Sequence, residues 1–304
     1  MNNIIEINNL SRSYKQSWLS NNWTSKHWTR RPKVDVLNNL HLKIKTGTIT
    51  GLLGKNSSGK TTLMNCALGL LKPNSGSCQN FGSESWNAPA DVRQKIGFVS
   101  QTYASYQWMN ISQLTEYWSL YYENWDAVFA NQLVRLFDLP RYQSVGQLSE
   151  GQKQQASIIL GISHRPELLV LDEPVSSLDP MARRTFIEVL LDYYMDGTKT
   201  VLFSTHITSI LERIATDIAL LKDGSIALHT TLDSLKEDVV RLRFQSESNI
   251  DKIIDNIPNK LSFKKSNNEA LVTVSSISEK SLQGLGDIRV EHLNLEEIFL
   301  EIYK

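Results

Sequence analysis

Nine consecutive residues, Gly54-Lys55-Asn56-Ser57-Ser58-Gly59-Lys60-Thr61-Thr62, combine two glycines with lysines and small polar side chains. An apolar run at residues 49–53 precedes them, and a run with helical character follows. Glycines let the backbone curl so that successive N–H groups point at one anion, and the helix start adds partial positive charge. Lys60 then reaches the outer phosphates, and the Thr61 hydroxyl can ligate magnesium. A Gly/Ser-rich surface turn is the alternative, but the strand-loop-helix context favours a nucleoside triphosphate site.

A pair of acids, Asp172 and Glu173, directly follows the apolar run 168–171. An apolar run that ends in acids is typical of a central parallel strand that delivers carboxylates at its carboxyl end. Asp172 and Thr61 suit a magnesium ion that bridges the outer phosphates, one directly and one through water. Glu173 is our candidate for the base that orients and deprotonates the attacking water. A solvated strand end without a chemical role is the alternative.

Other polar residues stand at the ends of predicted elements. Gln101 follows a short buried run, His206 follows the apolar run 200–204, and Asp179 closes a Ser-Leu-Asp sequence. Singly, the glutamine would be surface decoration and the histidine a polar strand terminator. The sequence Leu148-Ser149-Glu150-Gly151-Gln152 opens a predicted helix, so its N–H groups and the helix dipole predict a second anion site.

Taken in order, these motifs make residues 4–235 resemble the ATP-binding cassette (ABC) family of ATPases, specifically its transporter subunits. The resemblance implies an α/β fold: a P-loop NTPase (RecA-like) core with an antiparallel β subdomain and a helical insert subdomain at about 102–165. It implies ATP and Mg²⁺ as cofactors. It gives Gln101 contacts with metal and water, gives His206 a hydrogen bond to the terminal phosphate, and supports Glu173 as the base.

The same resemblance implies a homodimer. Ser149, Gly151 and Gln152 would complete the site of the opposite protomer, with Asp179 at that junction, so that two ATP molecules close a head-to-tail sandwich. Glu150 departs from the family pattern, where glycine is usual, and its carboxylate is expected to weaken ATP closure slightly. Ser57 and Ser58 occupy loop positions often filled by glycine or alanine, which small hydroxyls should tolerate.

An aromatic residue before the first loop is expected to stack on adenine. Tyr14 holds that position, with Trp18 as a rival because a long insertion follows Tyr14. That insertion, at residues 15–33, carries Trp18, Trp23 and Trp28 among polar residues. A loose surface insertion is one interpretation; the other is a docking loop for a partner or lipid headgroups, because exposed tryptophan tends to mark interfaces.

The remaining chain predicts two domains: an ABC ATPase domain at 1–235 and a small α+β accessory domain at 236–304. Residues 2–10 and 36–44 alternate apolar and polar, which predicts two strands of a half-exposed antiparallel sheet. A helix capped by Ser112 is predicted to carry an aromatic stripe as far as Trp125, followed by an amphipathic helix at 126–137. Such a stripe is more often core than contact surface.

Composition limits the partners. Lys plus Arg and Asp plus Glu are 32 each, so no basic excess indicates nucleic acid. The two cysteines form no disulfide framework, which fits a reducing compartment. No apolar run approaches the roughly 18 residues that a membrane helix needs, and no secretory signal is recognisable at the amino terminus. We expect a cytoplasmic protein, peripheral on the cytoplasmic face of the membrane, whose membrane part is another chain.

Together these features predict an ATP-hydrolysing nucleotide-binding subunit that powers export, possibly of a peptide or antibiotic, through a separate integral membrane permease. The run Leu295-Glu296-Glu297-Ile298-Phe299 resembles bacterial exporter-type systems. In this interpretation the aromatic region 103–125 forms a groove for a helix of the permease. The alternatives are a soluble ABC ATPase acting on ribosomes or DNA, and a nucleotide-binding scaffold without turnover. The balanced charge disfavours the first, and the filled catalytic positions disfavour the second.

Overall fold

The structure is a computed structural model that describes residues 2–15, 33–102, 106–194, 197–245, 257, 259–265, 269–275 and 288–303. The chain forms two compact units: residues 1–206 with 219–229, and residues 207–218 with 230–304. The predicted domain boundary at 235 stays a prediction. The Trp-rich insertion falls outside the described residues apart from its two ends.

The first unit contains an antiparallel sheet of four strands in the order β2-β1-β4-β5. These are β1 (Asn3–Lys15), β2 (Lys33–Lys45), β4 (Ser75–Asn80) and β5 (Ser83–Glu84). β1 and β2 pair antiparallel, as their apolar-polar alternation predicts, and both extend beyond the predicted bounds. The apolar side chains face one core, which includes Ile5, Ile7 and Leu42.

A second sheet of six strands has the order β10-β9-β3-β8-β7-β6. Its strands are β3 (Ile49–Leu53), β6 (Ile96–Val99), β7 (Leu168–Asp172), β8 (Thr200–Ser204), β9 (Asp217–Lys222) and β10 (Ser225–Thr231). Strands β3, β8, β7 and β6 run parallel. Every residue of β3, β7 and β8 is buried, which explains their continuous apolar sequences. The carboxyl ends of these three strands therefore meet at one edge.

Three helices accompany this sheet: α1 (Lys60–Ala67) after β3, α2 (Ala90–Gln94) before β6, and α6 (Pro180–Tyr194) between β7 and β8. Leu63 and Met64 of α1 are buried in the core shared with both sheets. The mixed α/β architecture with a phosphate-type loop at the end of β3 confirms the predicted fold class.

Helices predominate in the described part of 102–165: α3 (Ile111–Ser119), α4 (Ala127–Leu136), a 3₁₀ turn (Val145–Gln147) and α5 (Glu150–Ile162). The prediction that Ser112 caps α3 is wrong, because Asn110 caps it through a capping box with Gln113. The helix also ends at Ser119, so the expected stripe to Trp125 is not one helical face.

The second unit contains α7 (Thr208–Ile214), α8 (Leu232–Asp238) and α9 (Leu295–Ile302). Its antiparallel sheet has the order β12-β13-β11-β14. The strands are β11 (Val239–Gln245), β12 (Lys260–Lys265), β13 (Glu269–Ser275) and β14 (Ile288–His292). Residues 250–256 and 279–284, where the sequence also predicts helices, fall outside the described residues. No described helix is long and apolar enough to span a bilayer.

Candidate nucleotide-binding site

The loop between β3 and α1 has backbone geometry that explains its residue types. Gly59 caps α1 at φ +104°, and Ser57 also has a positive φ, of +67°. A Cβ on Gly54 would lie 2.5 Å from Ser58 Oγ and 2.9 Å from the Leu221 carbonyl oxygen. Glycine is therefore required at 54 for space and favoured at 59 for conformation. The curled loop ends at a helix amino terminus, where N–H groups are available to an anion.

This loop lines a pocket of about 420 Å³. The lining residues are Val36, Asn56, Ser57, Ser58, Gly59, Lys60, Thr61, Thr62, Gln101, Glu173 and His206. The fold thus brings the loop together with three of the polar residues that sequence analysis singled out at other strand ends.

Lys60 is the buried cation of this pocket, with 7% of its side chain exposed. Its ammonium donates to the Gly54 carbonyl oxygen at 2.8 Å, and Nζ lies 3.6 Å from Glu173 Oε1. A buried ammonium is stable only when it is paired, and both partners face the phosphate-type loop. Lys60 is therefore positioned to exchange these contacts for phosphate oxygens.

Glu173 is buried beside Lys60, and its second oxygen, Oε2, lies 2.9 Å from His206 Nδ1. The His206 side chain is half exposed, so this pair lies where the pocket meets solvent. The Glu173 backbone has φ +48°, in the left-handed region that residues with a Cβ rarely adopt. Strained backbone of this kind is often found at functional sites.

Asp172 precedes Glu173, is buried, and does not line the pocket. Ser204 Oγ donates to its Oδ1 at 2.6 Å. Thr61, Gln101 and Asp172 would supply only oxygen ligands, the set that Mg²⁺ prefers. Among the described residues no cluster of three His, Cys, Asp or Glu side chains could hold a metal by itself. The site therefore fits Mg²⁺, which takes one or two protein ligands and completes its shell with phosphates and water.

A further polar atom of the loop fits a phosphate. Ser58 Oγ is buried and has no hydrogen-bond partner among the described residues. Buried hydroxyls are normally paired, so an unpaired one that lines a pocket indicates a missing ligand. A phosphate oxygen would satisfy it.

The second predicted anion site lies at the start of α5. Ser149 caps this helix through a capping box: Gln152 N–H donates to Ser149 Oγ at 3.2 Å, and Ser149 N–H donates to Gln152 Oε1 at 3.0 Å. A Cβ on Gly151 would lie 2.9 Å from the Ser177 carbonyl oxygen, so glycine permits close packing. Ser149, Gly151 and Gln152 do not line the pocket of their own chain.

Two acidic residues, Glu150 and Asp179, belong to the same predicted site. Glu150 accepts a hydrogen bond from Lys153 Nζ at 2.7 Å. Asp179 Oδ1 accepts from the N–H groups of Met181 and Ala182, both at 2.9 Å, and so caps α6. Asp179 also does not line the pocket. Its capping contacts are a structural role that the sequence analysis did not predict.

Tyr14 lies at the pocket's margin. Its hydroxyl is 3.4 Å from Thr62 Oγ1, and Thr62 lines the pocket. The Arg12 guanidinium lies over the Tyr14 ring, 5.0 Å from its centroid, and Arg12 Nη1 donates to the Lys72 carbonyl oxygen at 2.9 Å. Tyr14 is 40% exposed, and the Arg12 guanidinium covers one face of its ring. The rival Trp18 falls outside the described residues.

Sequence reasoning missed two residues of this region. Val36 lines the pocket from β2, and no chemical signal distinguishes it from the other apolar residues of that strand. Ser204 contacts both acids from the end of β8. Its position two residues before His206, at the end of a buried strand, was a usable signal.

The sequence is similar to a known protein family and to several of its members. A family model described as "ABC transporter" matches residues 37–176. The ABC transporter ATP-binding protein YtrB of Bacillus subtilis is 30% identical over 225 residues, which cover 73% of this chain and 77% of YtrB. The zinc uptake system ATP-binding protein ZurA of Listeria innocua is 33% identical over 220 residues, covering 68% and 77%. The bacitracin transport ATP-binding protein BcrA of Bacillus licheniformis is 28% identical, covering 66% of each chain.

The fold has solved counterparts. The ATP-binding cassette MJ0796, in a dimeric post-hydrolysis state bound to ADP and Pi, superposes with a TM-score of 0.64 at 23% identity. The match covers 75% of this chain and 98% of that one. At this identity the likeness establishes the fold.

Proposed function

This chain belongs to the ABC transporter family as an ATP-binding ATPase subunit, and we propose that it uses Mg²⁺ and ATP to power export through a separate membrane permease. The observation that carries the proposal is the pocket in which the phosphate-type loop, Gln101, Glu173 and His206 converge. In this proposal the permease is a separate chain, as the resemblance implies. The chain would then bind that permease on the cytoplasmic face of the membrane.

The charged and polar residues in and beside the pocket have distinct roles in this proposal. Bound Mg²⁺, held by Thr61 and Asp172, with Gln101 contacting both ion and water, would neutralise charge on the outer phosphates. Lys60 and the N–H groups at the start of α1 bind and orient those phosphates. Glu173 orients the attacking water and accepts its proton, and His206 hydrogen-bonds the terminal phosphate.

A second copy of the chain completes the site in this proposal. Ser149, Gly151 and Gln152 present a helix amino terminus, an anion-binding element, outside the pocket of their own chain. We propose that they bind the terminal phosphate held by the partner copy, with Asp179 at the junction between the copies. The homodimer then closes on two ATP molecules and opens after hydrolysis.

A surface aromatic cluster supports the docking of a permease. Its members are Tyr106, Trp108, Tyr117, Trp118 and Tyr121, with neighbouring ring centroids 5.1 to 6.4 Å apart. Trp108 is 74% and Tyr121 58% exposed. The sequence favoured a core role for the stripe at 114–125. Leu114 is buried, Tyr117 and Trp118 are half-buried, and Tyr121 is exposed beyond the end of α3 at Ser119. Exposed aromatic clusters of this kind mark interaction sites.

Export of a peptide or antibiotic is the finer part of the proposal. The relatives include one named for zinc uptake and one for bacitracin transport. The Leu295-Glu296-Glu297-Ile298-Phe299 run begins α9, where Leu295 and Ile298 are buried. Its resemblance to exporter-type systems favours export.

The test is phosphate release by the purified chain with Mg²⁺ and ATP, alone and with its permease in liposomes. We expect turnover that requires Mg²⁺ and a dimer that appears with ATP when Glu173 is replaced by Gln. Replacing Tyr117 and Trp118 by Ala should uncouple transport and spare the ATPase of the isolated chain. A strictly monomeric Glu173→Gln protein with ATP, even beside the permease, would contradict the shared-site proposal.

A further inference from the structure

Ser204 is the last residue of β8 and pairs in register with Asp172, the last residue of the parallel strand β7. It is completely buried. It does not line the nucleotide pocket, so it is not placed to touch the nucleotide. Its contacts instead run to the two acids at the end of β7.

Both hydrogen-bonding functions of the Ser204 hydroxyl are occupied. Oγ donates to Asp172 Oδ1 at 2.6 Å and accepts from the Glu173 N–H at 3.1 Å. The Glu173 N–H also donates to the Ser204 carbonyl oxygen, at 3.1 Å. A hydroxyl that donates to one group and accepts from the next cannot rotate without losing a bond. One side chain therefore ties the carboxylate of Asp172 to the backbone of Glu173.

The Glu173 backbone needs this support. Its φ of +48° is unfavourable for a residue with a Cβ, and such conformations persist only where the surroundings enforce them. In this conformation the carboxylate turns back to lie 3.6 Å from Lys60 Nζ and 2.9 Å from His206 Nδ1. A relaxed backbone would aim Glu173 differently.

We propose that Ser204 is a positioning residue that sets Asp172 toward Mg²⁺ and Glu173 toward the attacking water. The inference rests on the roles proposed above for those two acids. Ser204 contributes no ligand and no proton; it fixes the geometry of both groups at once. Partners of this kind, one step behind a metal ligand, change metal affinity or activity by about 10- to 100-fold when removed.

The test compares Ser204→Ala, Ser204→Thr and Ser204→Cys with a matched control, Thr200→Val. Thr200 begins the same strand, is equally buried, and its hydroxyl accepts a hydrogen bond from Gly47 N–H at 3.0 Å, at the opposite end from the acids. The control therefore loses a part-buried hydrogen bond of a buried side chain without touching the site. Equilibrium binding of a fluorescent ATP analogue with and without Mg²⁺ supplies a readout besides activity.

For Ser204→Ala we expect roughly 10- to 100-fold lower kcat and a weaker enhancement of nucleotide binding by Mg²⁺. Binding without Mg²⁺ should stay within about twofold. Ser204→Thr should restore the wild-type values, and Ser204→Cys, a weak donor, should fall between. Thr200→Val should lower the melting temperature alone.

The proposal would be overturned if Ser204→Ala and Thr200→Val had the same kcat and the same enhancement of nucleotide binding by Mg²⁺. If the alanine variant does not fold, wild-type kcat and Mg²⁺ dependence in Ser204→Cys would overturn it equally. Glu173→Gln separates the two levels of inference: full turnover in that variant contradicts the proposed base, whereas an inactive Glu173→Gln beside a wild-type-like Ser204→Ala contradicts only the role of Ser204.

Discussion

Lys60 and Glu173 face each other inside the nucleotide pocket, with Nζ 3.6 Å from Oε1, and each is at least 93% buried at its side chain. The lysine is the first residue of α1, after the loop that follows β3, and the glutamate directly follows β7. The contact therefore joins the segments that follow two strands of one sheet. Each group keeps the other paired while no phosphate is bound. In the proposed reaction, an incoming triphosphate would give Lys60 a new partner and leave Glu173 to orient the attacking water.

Glu173→Gln should lower the rate of phosphate release by at least about 100-fold, because general bases contribute about 10²- to 10⁴-fold. Lys60 keeps the Gly54 carbonyl as partner, so ATP binding should persist. Steady-state phosphate release and light scattering with ATP measure the two effects. Glu188→Gln is the matched control, since Glu188 pairs with Arg184 on the exposed face of α6. Equal losses in both variants would exclude a specific role for Glu173.

Tyr14→Ala should raise the KM for ATP by about 5- to 150-fold, because stacking on an aromatic ring contributes about 1–3 kcal/mol per base. The kcat should change little, since the ring lies beside Thr62 and away from the acids. Tyr14→Trp should retain the wild-type KM. Tyr142→Ala is the control, because Tyr142 is the more exposed tyrosine, at 80%. An unchanged KM in Tyr14→Ala would show that a residue other than Tyr14 stacks on adenine.

The pair Glu150 and Lys153 predicts a dependence of dimer closure on charge at the start of α5. Lys153→Met leaves the Glu150 carboxylate unbalanced, and we expect a few-fold higher ATP concentration for dimerisation of the Glu173→Gln background. Adding Glu150→Gly should reverse the defect, because the offending charge is gone. Analytical ultracentrifugation at a series of ATP concentrations measures the concentration at which the dimer forms. If the double variant still needs more ATP to dimerise than the Glu173→Gln background does, the defect comes from the packing of Lys153 and not from its charge.

The core of this fold was predictable from the sequence because its signals are local. The short apolar runs before Asp172 and before His206 favour buried strands, and the loop at 54–62 needs its glycines for backbone reasons. The extent of α3 was not predictable in this way. Tyr121 and Tyr122 continue the helical spacing, but the helix ends at Ser119, and tertiary contacts decide where the rings go.

Contacts between residues far apart in the chain could also not be predicted from the sequence. Ser204 and Asp172 are 32 positions apart, and only the pairing of β7 with β8 brings them together. The same holds for Arg12 beneath Tyr14, where Lys72 fixes the guanidinium from 60 positions away. Pairings of this kind depend on sheet order, which periodicity along one strand does not encode.

Cys66 and Cys78 should resist thiol reagents in the folded protein. Burial raises the pKa of the Cys66 thiol to about 11 and that of Cys78 to about 12, so thiolate, the reactive form, is scarce at pH 8. We expect both cysteines to react with Ellman's reagent at least about 100-fold faster in 6 M guanidinium (about the concentration that unfolds most proteins) than in buffer. Rapid labelling in the native protein would show local opening, of α1 if Cys66 reacts and of β4 if Cys78 reacts.

His164 predicts a loss of stability in mild acid. Its ring is buried, stacks on Tyr122 with centroids 3.9 Å apart, and its Nε2–H donates to the Ile96 carbonyl oxygen at 3.2 Å. Desolvation by burial lowers the pKa of His164 from 6.5 to about 4, despite the opposing hydrogen bond to Ile96. The unfolded chain therefore binds the proton more readily than the folded one.

The free energy of unfolding should fall as the pH drops from about 6.5 to about 4, and this group contributes no further loss below that. The pKa difference corresponds to a total of about 3 kcal/mol, of which about 2 kcal/mol is lost by pH 5. Urea unfolding at pH 7.5 and pH 5.0 measures the change. His164→Gln, which does not titrate, should be less stable at pH 7.5 but should lose about 2 kcal/mol less than wild type between the two values. His41→Gln serves as control, because His41 is exposed on β2. Equal pH dependence in wild type and His164→Gln would show that the buried ring does not set the acid sensitivity.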